Sequence, residues 1–382
     1  MKVGLGQINT IVGDLDGNLA KMSQYAEQAY EQGCRLVLFP EMAVTGYPPL
    51  DLLDRPSFVE SAENALREWA KTLPDIAVIA GNVAVNPAKQ GRQLWNAAVF
   101  VDNGNIVSIH PKTLLPTYDV FDEDRWFEPL QGEPVLAEVD GIKLGITVCE
   151  DIWNAPLHMQ HARYHTDPVA KVVAQGADVV INISASPFSV GKSSLRRELL
   201  KSKASEQGVH VLYLNQVGGN DSLIFDGRSL VVSKEGEIVA QGAAFKEELI
   251  TIDLTDLPQG IAVTDPADED DICKALALGV HDYFAKIGIS KAVIGLSGGI
   301  DSAVTAVLAV DALGSENVVG IGMPSEFSSQ GSIDDARNLA ENLGIEFHLV
   351  PIQPPLGEMR NVMNDILGPK PWGVADENLQ AR

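Results

Sequence analysis

The chain has 382 residues, a net charge of −24, and 45% hydrophobic against 21% charged side chains. That length exceeds the roughly 250–300 residues at which one hydrophobic core stops growing, so two domains are expected. The acidic balance excludes nucleic-acid binding through clustered Lys and Arg, though not a local cationic pocket for a small anion. Cys34, Cys149 and Cys273 are too few and too scattered for a disulfide framework, and none forms a Cys-x-x-Cys metal pair. A reducing, cytoplasmic location is expected. The opening MKVGLGQINT lacks the apolar core of a signal peptide, and no run of 18 apolar residues is present to span a membrane.

In chain order, strands alternate with helices over residues 1–255. KVGLGQIN (2–9) reads as a strand, 18–32 has helical spacing, and CRLVLFP (34–40) and DIAVIAGNV (75–83) are buried strands. WNAAVFV (95–101) and IVSIHPK (106–112) flank Asn103-Gly104, whose tolerance of positive φ predicts a hairpin. KLGITVCE (143–150), ADVVINIS (177–184) and VHVLYLNQ (209–216) are strands, SLIFDGRSLVVSKEGEIVAQG (222–242) is read as a hairpin, and helices are expected at 157–175 and 193–207. The segment 256–270, rich in proline and acids, reads as a linker. After it the pattern restarts with a helix (271–288) and strands at 291–297, 317–324 and 346–352 separated by helices, which predicts a doubly wound parallel sheet.

Three charged or nucleophilic residues stand at strand ends: Glu41 after LVLFP, Lys112 after IVSIHP, and Cys149 after KLGITV. A thiol needs a base to become a thiolate, and the oxyanion that forms on an attacked carbonyl needs a donor. Glutamate, lysine and cysteine together supply these, and Glu123 lies just beyond the lysine. VGKSS (190–194) lacks the glycine that a Walker A loop places five residues before its Gly-Lys pair, since that position is Ser186. His158, His161 and His165 fall on one face of the expected helix without carboxylate or cysteine neighbours, so they read as a solvated face rather than a metal site.

FPEMAVTGYPP, HPKTLLPTYDVFDEDRWF and GITVCEDIW resemble the three signature segments of the nitrilase, or carbon–nitrogen hydrolase, superfamily. The resemblance covers residues 1–255 and implies a four-layer α-β-β-α sandwich. Glu41 would then be the general base, Lys112 and the backbone N–H of Glu150 would stabilise the tetrahedral intermediate, Cys149 would form a thioester, and Glu123 would position the lysine and substrate. LPTYDVFDEDRWF resembles the variant found in glutaminase domains, with Trp126 where tyrosine is more usual. It implies that Tyr118 contacts glutamine. SPFSVGK implies that Ser186 and Lys192 hold the α-amino and α-carboxylate ends.

In the second half, glycines in Ser297-Gly298-Gly299-Ile300-Asp301-Ser302 let backbone N–H groups approach an anion at the start of a helix. Asp301 would repel phosphate alone, so a bridging Mg²⁺ is expected there. SGGIDSA resembles the pyrophosphate loop of the ATP pyrophosphatase family, which implies ATP contacts from Ser297, Gly298, Gly299, Asp301 and Ser302. MPSEFSSQGSIDDARNLAENLGI and the terminal DENLQAR resemble segments of NAD synthetases, the latter implying a deamido-NAD contact from Arg382. A nitrilase-type glutaminase joined to such a loop resembles the glutamine-dependent NAD synthetase family, whose members use glutamine, ATP and deamido-NAD. A homo-oligomer is expected. The resemblance covers about the first half of a synthetase domain over 271–382, so a fragment or a truncated product is expected.

Overall fold

The computed structural model describes every residue except 89, 155–163, 326–327, 369–371, 375–377 and 379–382. The chain divides into two compact units, Met1–Asp282 and Tyr283–Arg382. The first runs β1 (Lys2–Gln7), α1 (Leu15–Glu31), β2 (Leu36–Leu38), α2 (Pro56–Ala70), β3 (Ala77–Val85), β4 (Leu94–Asp102), β5 (Asn105–Pro111), β6 (Ala137–Val139), β7 (Ile142–Val148), α3 (Pro168–Ala174), β8 (Val179–Ser184), α4 (Lys192–Gln207), β9 (His210–Asn215), β10 (Val217–Asn220), β11 (Leu223–Asp226), β12 (Leu230–Val232), β13 (Ile238–Gln241) and β14 (Glu248–Asp253).

Among the described residues these strands build two six-stranded sheets, ordered β14-β1-β2-β3-β4-β5 and β13-β12-β9-β8-β7-β6. The central strands β2, β3 and β8 are buried on both faces, which explains why they are apolar runs rather than alternating, whereas the edge strand β5 is partly exposed. In β2, Leu36 and Leu38 point into the core between the sheets, while Val37 points out against α1 and α2. In β8, Ile181 and Ile183 join that same inner core, while Val180 packs outward among α3 and α4. The result is the expected α-β-β-α layering. The 95–112 hairpin also forms, with Asp102 opposite Asn105 and Asn103 and Gly104 both at positive φ.

Three local expectations are corrected. The 222–242 segment is not one hairpin: β11 pairs with β10, and only β12 and β13 pair across the Ser233–Glu237 turn. Of the expected 157–175 helix, residues 157–163 lie outside the described residues and the rest holds α3, whose start Asp167 caps by accepting from the backbone N–H groups of Val169 and Ala170, with Pro168 at its first position. His158 and His161 lie outside the described residues, and His165 sits in a bend before the helix. Helix α2 is absent from the expected elements, although Val59, Ala62, Leu66 and Trp69 are buried at helical spacing.

Helix α5 (Asp268–Lys286) carries the division between the two units. It begins within the segment read as linker, with Asp268, Glu269, Asp270 and Asp271 in the first turn, where the helix dipole favours anions. Its first fifteen residues, Asp268–Asp282, belong to the first unit. Arg228 pairs with Asp271 at 2.6 Å, and buried Asp282 accepts from Asn9 and from the backbone N–H of Gly219, both at 2.7 Å.

The second unit contains β15 (Ala292–Gly295), α6 (Ile300–Leu313), β16 (Val318–Gly322), α7 (Gln330–Leu343), β17 (Glu346–Leu349) and α8 (Gln353–Leu367). The three strands are parallel and lie in sequence order, with a helix in each crossover. Ala306, Ala309, Ala336 and Ala340 let α6 and α7 share a small core with Leu296, Val318 and Ile345.

Candidate active site

The end of β7 is a tight turn. Cys149 has a φ of +42° and opens a short 3₁₀ turn through Ile152. A left-handed cysteine costs about 1–3 kcal/mol and persists only where its surroundings over-determine it. The Glu41 turn after β2 is built similarly, with Met42 at φ +52°. It presses against β3 so closely that a Cβ on Gly81 would lie 2.2 Å from the Met42 nitrogen. Glycine at 81 is therefore a steric requirement for placing Glu41.

Glu41, Lys112 and Glu123 are brought together in the buried interior. The Lys112 ammonium donates to Glu41 Oε1 at 2.7 Å and to Glu123 Oε1 at 2.9 Å. Asn96 Nδ2 donates to Glu41 Oε1 at 2.7 Å, the backbone N–H of Ala185 donates to Glu41 Oε2 at 2.8 Å, and the Tyr47 hydroxyl donates to Glu123 Oε1 at 2.9 Å. One sheet therefore contributes Glu41, Asn96 and Lys112, and the other contributes Cys149 and the N–H of Ala185. The centre lies where the ends of strands from both sheets meet.

The electrostatics separate the roles. Burial lowers the proton affinity of Lys112, but the carboxylates of Glu123 and Glu41 outweigh it and hold its pKa well above the ordinary lysine value. Lys112 is thus a fixed ammonium rather than a proton carrier. Burial, then the charge of Glu41, pushes the Cys149 thiol well above its usual range, with Lys112 opposing. The resting nucleophile is a neutral thiol, so its proton must leave as it attacks. Burial raises Glu123 as well, and pushes the Tyr47 hydroxyl far up beside it.

Cys149 opens into a cleft of about 460 Å³ lined by Tyr118, Glu150, Trp153, Ser186 and Lys192, among others. The three residues expected to bind glutamine therefore share one cleft with the thiol. Lys192 begins α4 and stands 5.6 Å from the Trp153 ring centroid. Burial, followed by the neighbouring Arg196, lowers its pKa. The Glu150 carboxylate accepts from the hydroxyls of Tyr118 at 2.9 Å and Tyr164 at 2.8 Å. Sequence reasoning used only the backbone of Glu150 and missed Tyr47, Asn96, Tyr164 and Arg196. Arg196 sits behind Ser186 and pairs with Asp226 at 3.1 Å. None of these carries a local signal, because their partners lie 14 to 76 positions away. Trp126 donates to Asp54 at 3.1 Å.

The Ser297–Ser302 loop joins β15 to α6. Gly298 has φ +79°, and a Cβ there would lie 2.3 Å from the carbonyl oxygen of Ser332. The Ser297 and Ser302 hydroxyls bond each other at 3.1 Å, and Asp301 is exposed in the first turn of α6. A crevice of about 220 Å³ beside Ser297, lined also by Gly322, Met323, Pro324 and Leu349, lies at the carboxyl ends of the three parallel strands. That is where open α/β sheets bind ligands. Among the described residues, no cluster of three or more His, Cys, Asp or Glu side chains could hold a metal alone. Arg382 lies outside the described residues. Among those residues no helix is long and apolar enough to cross a membrane.

Residues 2–259 match the carbon-nitrogen hydrolase family and residues 272–382 match the NAD synthase family. The chain is 42% identical to a glutamine-dependent NAD(+) synthetase of Synechocystis sp., across all of this chain and 70% of that one. The structure of a glutamine-dependent NAD+ synthetase from Acinetobacter baumannii superposes with a TM-score of 0.88 at 34% identity, again over the whole chain and 70% of that protein. An amidase from Nesterenkonia sp. AN1, solved with acrylamide added to its active-site cysteine, superposes with a TM-score of 0.57 at 26% identity. That match covers 66% of this chain and 93% of the amidase.

Proposed function

The chain belongs to the glutamine-dependent NAD(+) synthetases, and on that premise we propose how its own residues divide the two half-reactions. Glutamine enters the 460 Å³ cleft with its amide at Cys149 and its amino acid end between Tyr118, Ser186 and Lys192. Glu41 takes the thiol proton as sulfur attacks the amide carbon. Lys112 and the backbone N–H of Glu150 stabilise the oxyanion, and Glu41 then returns the proton to departing ammonia. Water cleaves the thioester to glutamate. Glu123, fixed by Tyr47 and Asn96, holds Lys112 in place.

In the second unit, Ser297, Gly298, Gly299 and Ser302 hold the phosphates of ATP at the start of α6. Asp301 is one exposed carboxylate beside two hydroxyls, which fits a Mg²⁺ shared with substrate phosphates rather than caged by protein. When bound, that ion supplies charge neutralisation at the phosphates. Deamido-NAD is adenylated on its carboxylate with release of pyrophosphate, and ammonia displaces AMP to give NAD. Arg382 is carried as a deamido-NAD contact on the sequence resemblance alone. A cytoplasmic location is supported by three unpaired cysteines. Homo-oligomerisation is supported by exposed apolar side chains such as Val293 and Ile300, and a light-scattering mass equal to one chain would refute it.

The observation that carries the glutaminase reading is the buried Glu41–Lys112–Glu123 cluster, whose charges act on the Cys149 thiol that lines the cleft. A glutamine-mimicking electrophile should label Cys149 one-to-one and leave Cys34 and Cys273 nearly unmodified. Cys149→Ala should abolish glutamate release. Equal labelling of all three cysteines by peptide mass spectrometry would overturn the assignment.

A further inference from the structure

Asp151 lies two residues after Cys149 and is buried. Its Oδ1 accepts from the backbone N–H groups of Thr113 at 2.9 Å and Leu114 at 2.8 Å. Its Oδ2 accepts from the backbone N–H of Val148 at 3.0 Å. Thr113 and Leu114 follow Lys112 directly, and Val148 directly precedes Cys149. One carboxylate thus grips the chain immediately after the ammonium and immediately before the thiol.

Those two segments come from different sheets. Lys112 follows β5 of the first, whereas Val148 ends β7 of the second. The sheets meet through the apolar cluster that includes Ile79, Phe100, Ile146 and Ile181. Apolar contact sets a spacing but is non-directional, so it does not fix one strand end against another to tenths of an ångström. Hydrogen bonds to backbone N–H groups are directional, and the three on Asp151 oppose the burial that lifts its pKa to about 7. Behind Asp151 is a cavity of about 140 Å³, lined also by His110, Thr147 and Val172. Tight packing therefore does not hold the turn on that side.

We propose that Asp151 is a positioning residue that fixes the Lys112 ammonium relative to the Cys149 thiol across the seam between the two sheets. The inference rests on the reading of Cys149 and Lys112 given above. Asparagine has the same shape but one acceptor oxygen. Whichever way its amide is turned, an NH₂ faces at least one of the three N–H donors. Asp151→Asn therefore loosens the grip without opening a hole, and Asp151→Ala removes it altogether.

The test uses the full chain and steady-state glutamine hydrolysis. For Asp151→Asn, kcat should fall at least tenfold while KM for glutamine stays within about twofold, because Ser186 and Lys192 are held by other segments. Asp151→Ala should fall further along the same axis. Titration with a glutamine-mimicking electrophile should still give one label per chain, at a reduced rate. A purely structural defect would instead lower the labelled fraction and leave the rate per labelled site unchanged. Either that result or a wild-type kcat in Asp151→Asn overturns the proposal. Cys149→Ala and Lys112→Met serve as references. If they retain activity, the active-site reading itself fails; if they are inactive and Asp151→Asn is normal, only the positioning role fails.

Discussion

Lys112→Met is the perturbation that most directly tests the buried cluster. The Lys112 side chain is fully buried and bridges two carboxylates that are 0% and 6% exposed. Removing it strands two negative charges, and breaking a buried pair by deleting one partner costs about 3–5 kcal/mol. The protein can limit the loss by protonating one glutamate. At pH 7 that costs about 1.36 kcal/mol for each of the roughly 2.7 units above an ordinary glutamate pKa near 4.3, or about 3.7 kcal/mol. The two figures agree at about 4 kcal/mol, which for a domain of this size lowers Tm by roughly 8–16 °C. The sign with pH follows. In the variant the glutamate pKa is raised on folding, so protonation favours the fold and the deficit should shrink to about 1 kcal/mol near pH 5. Calorimetry of the wild type, Lys112→Met, Glu123→Gln and the double variant at pH 5 and 7.5 measures this. The double variant should recover at least about 2 kcal/mol relative to the sum of the single changes, the coupling expected of groups in contact. A Tm within 2 °C of wild type at pH 7.5, a deficit independent of pH, or additive single changes would each refute the reasoning. Glutamine hydrolysis should fall at least about 100-fold, as for loss of an oxyanion donor.

Other outcomes follow from other parts of the molecule. Burial holds His110 neutral, lowering its pKa from 6.5 to about 4. That stability is complete above pH 6.5 and is lost as pH falls towards 4. The loss is about 3 kcal/mol, so His110→Gln should flatten the acid limb of a stability–pH curve, and an unchanged slope would exclude the histidine. Gly298→Ala, strained by its φ of +79° and its approach to Ser332, should reduce deamido-NAD-dependent ATP–pyrophosphate exchange at least tenfold. Asp301→Asn should do likewise and raise the Mg²⁺ needed for half-maximal exchange. Neither change should alter labelling of Cys149, and normal exchange in both variants would remove this loop from the ATP site.

Local sequence settled much of this protein. Apolar runs too continuous for a one-faced sheet required strands covered on both sides, and that is the observed layering of α1 and α2, two sheets, and α3 and α4. Asn103-Gly104 dictated its hairpin because few other pairs accept positive φ twice. Glu41, Lys112, Cys149 and the Ser297–Ser302 loop were legible because each stands where a strand ends, a position that a short window of sequence contains. The tertiary structure decided what no window contains. It paired β11 with β10, placed Tyr47 and Asn96 on Glu123 and Glu41, turned the Glu150 carboxylate into the cleft, and brought Asp151 onto Thr113 and Leu114. Hydrophobic periodicity records only which side of an element is buried. The identity of the group across a buried interface depends on the register between two sheets, and that is set by the packing of the whole core rather than by any segment alone.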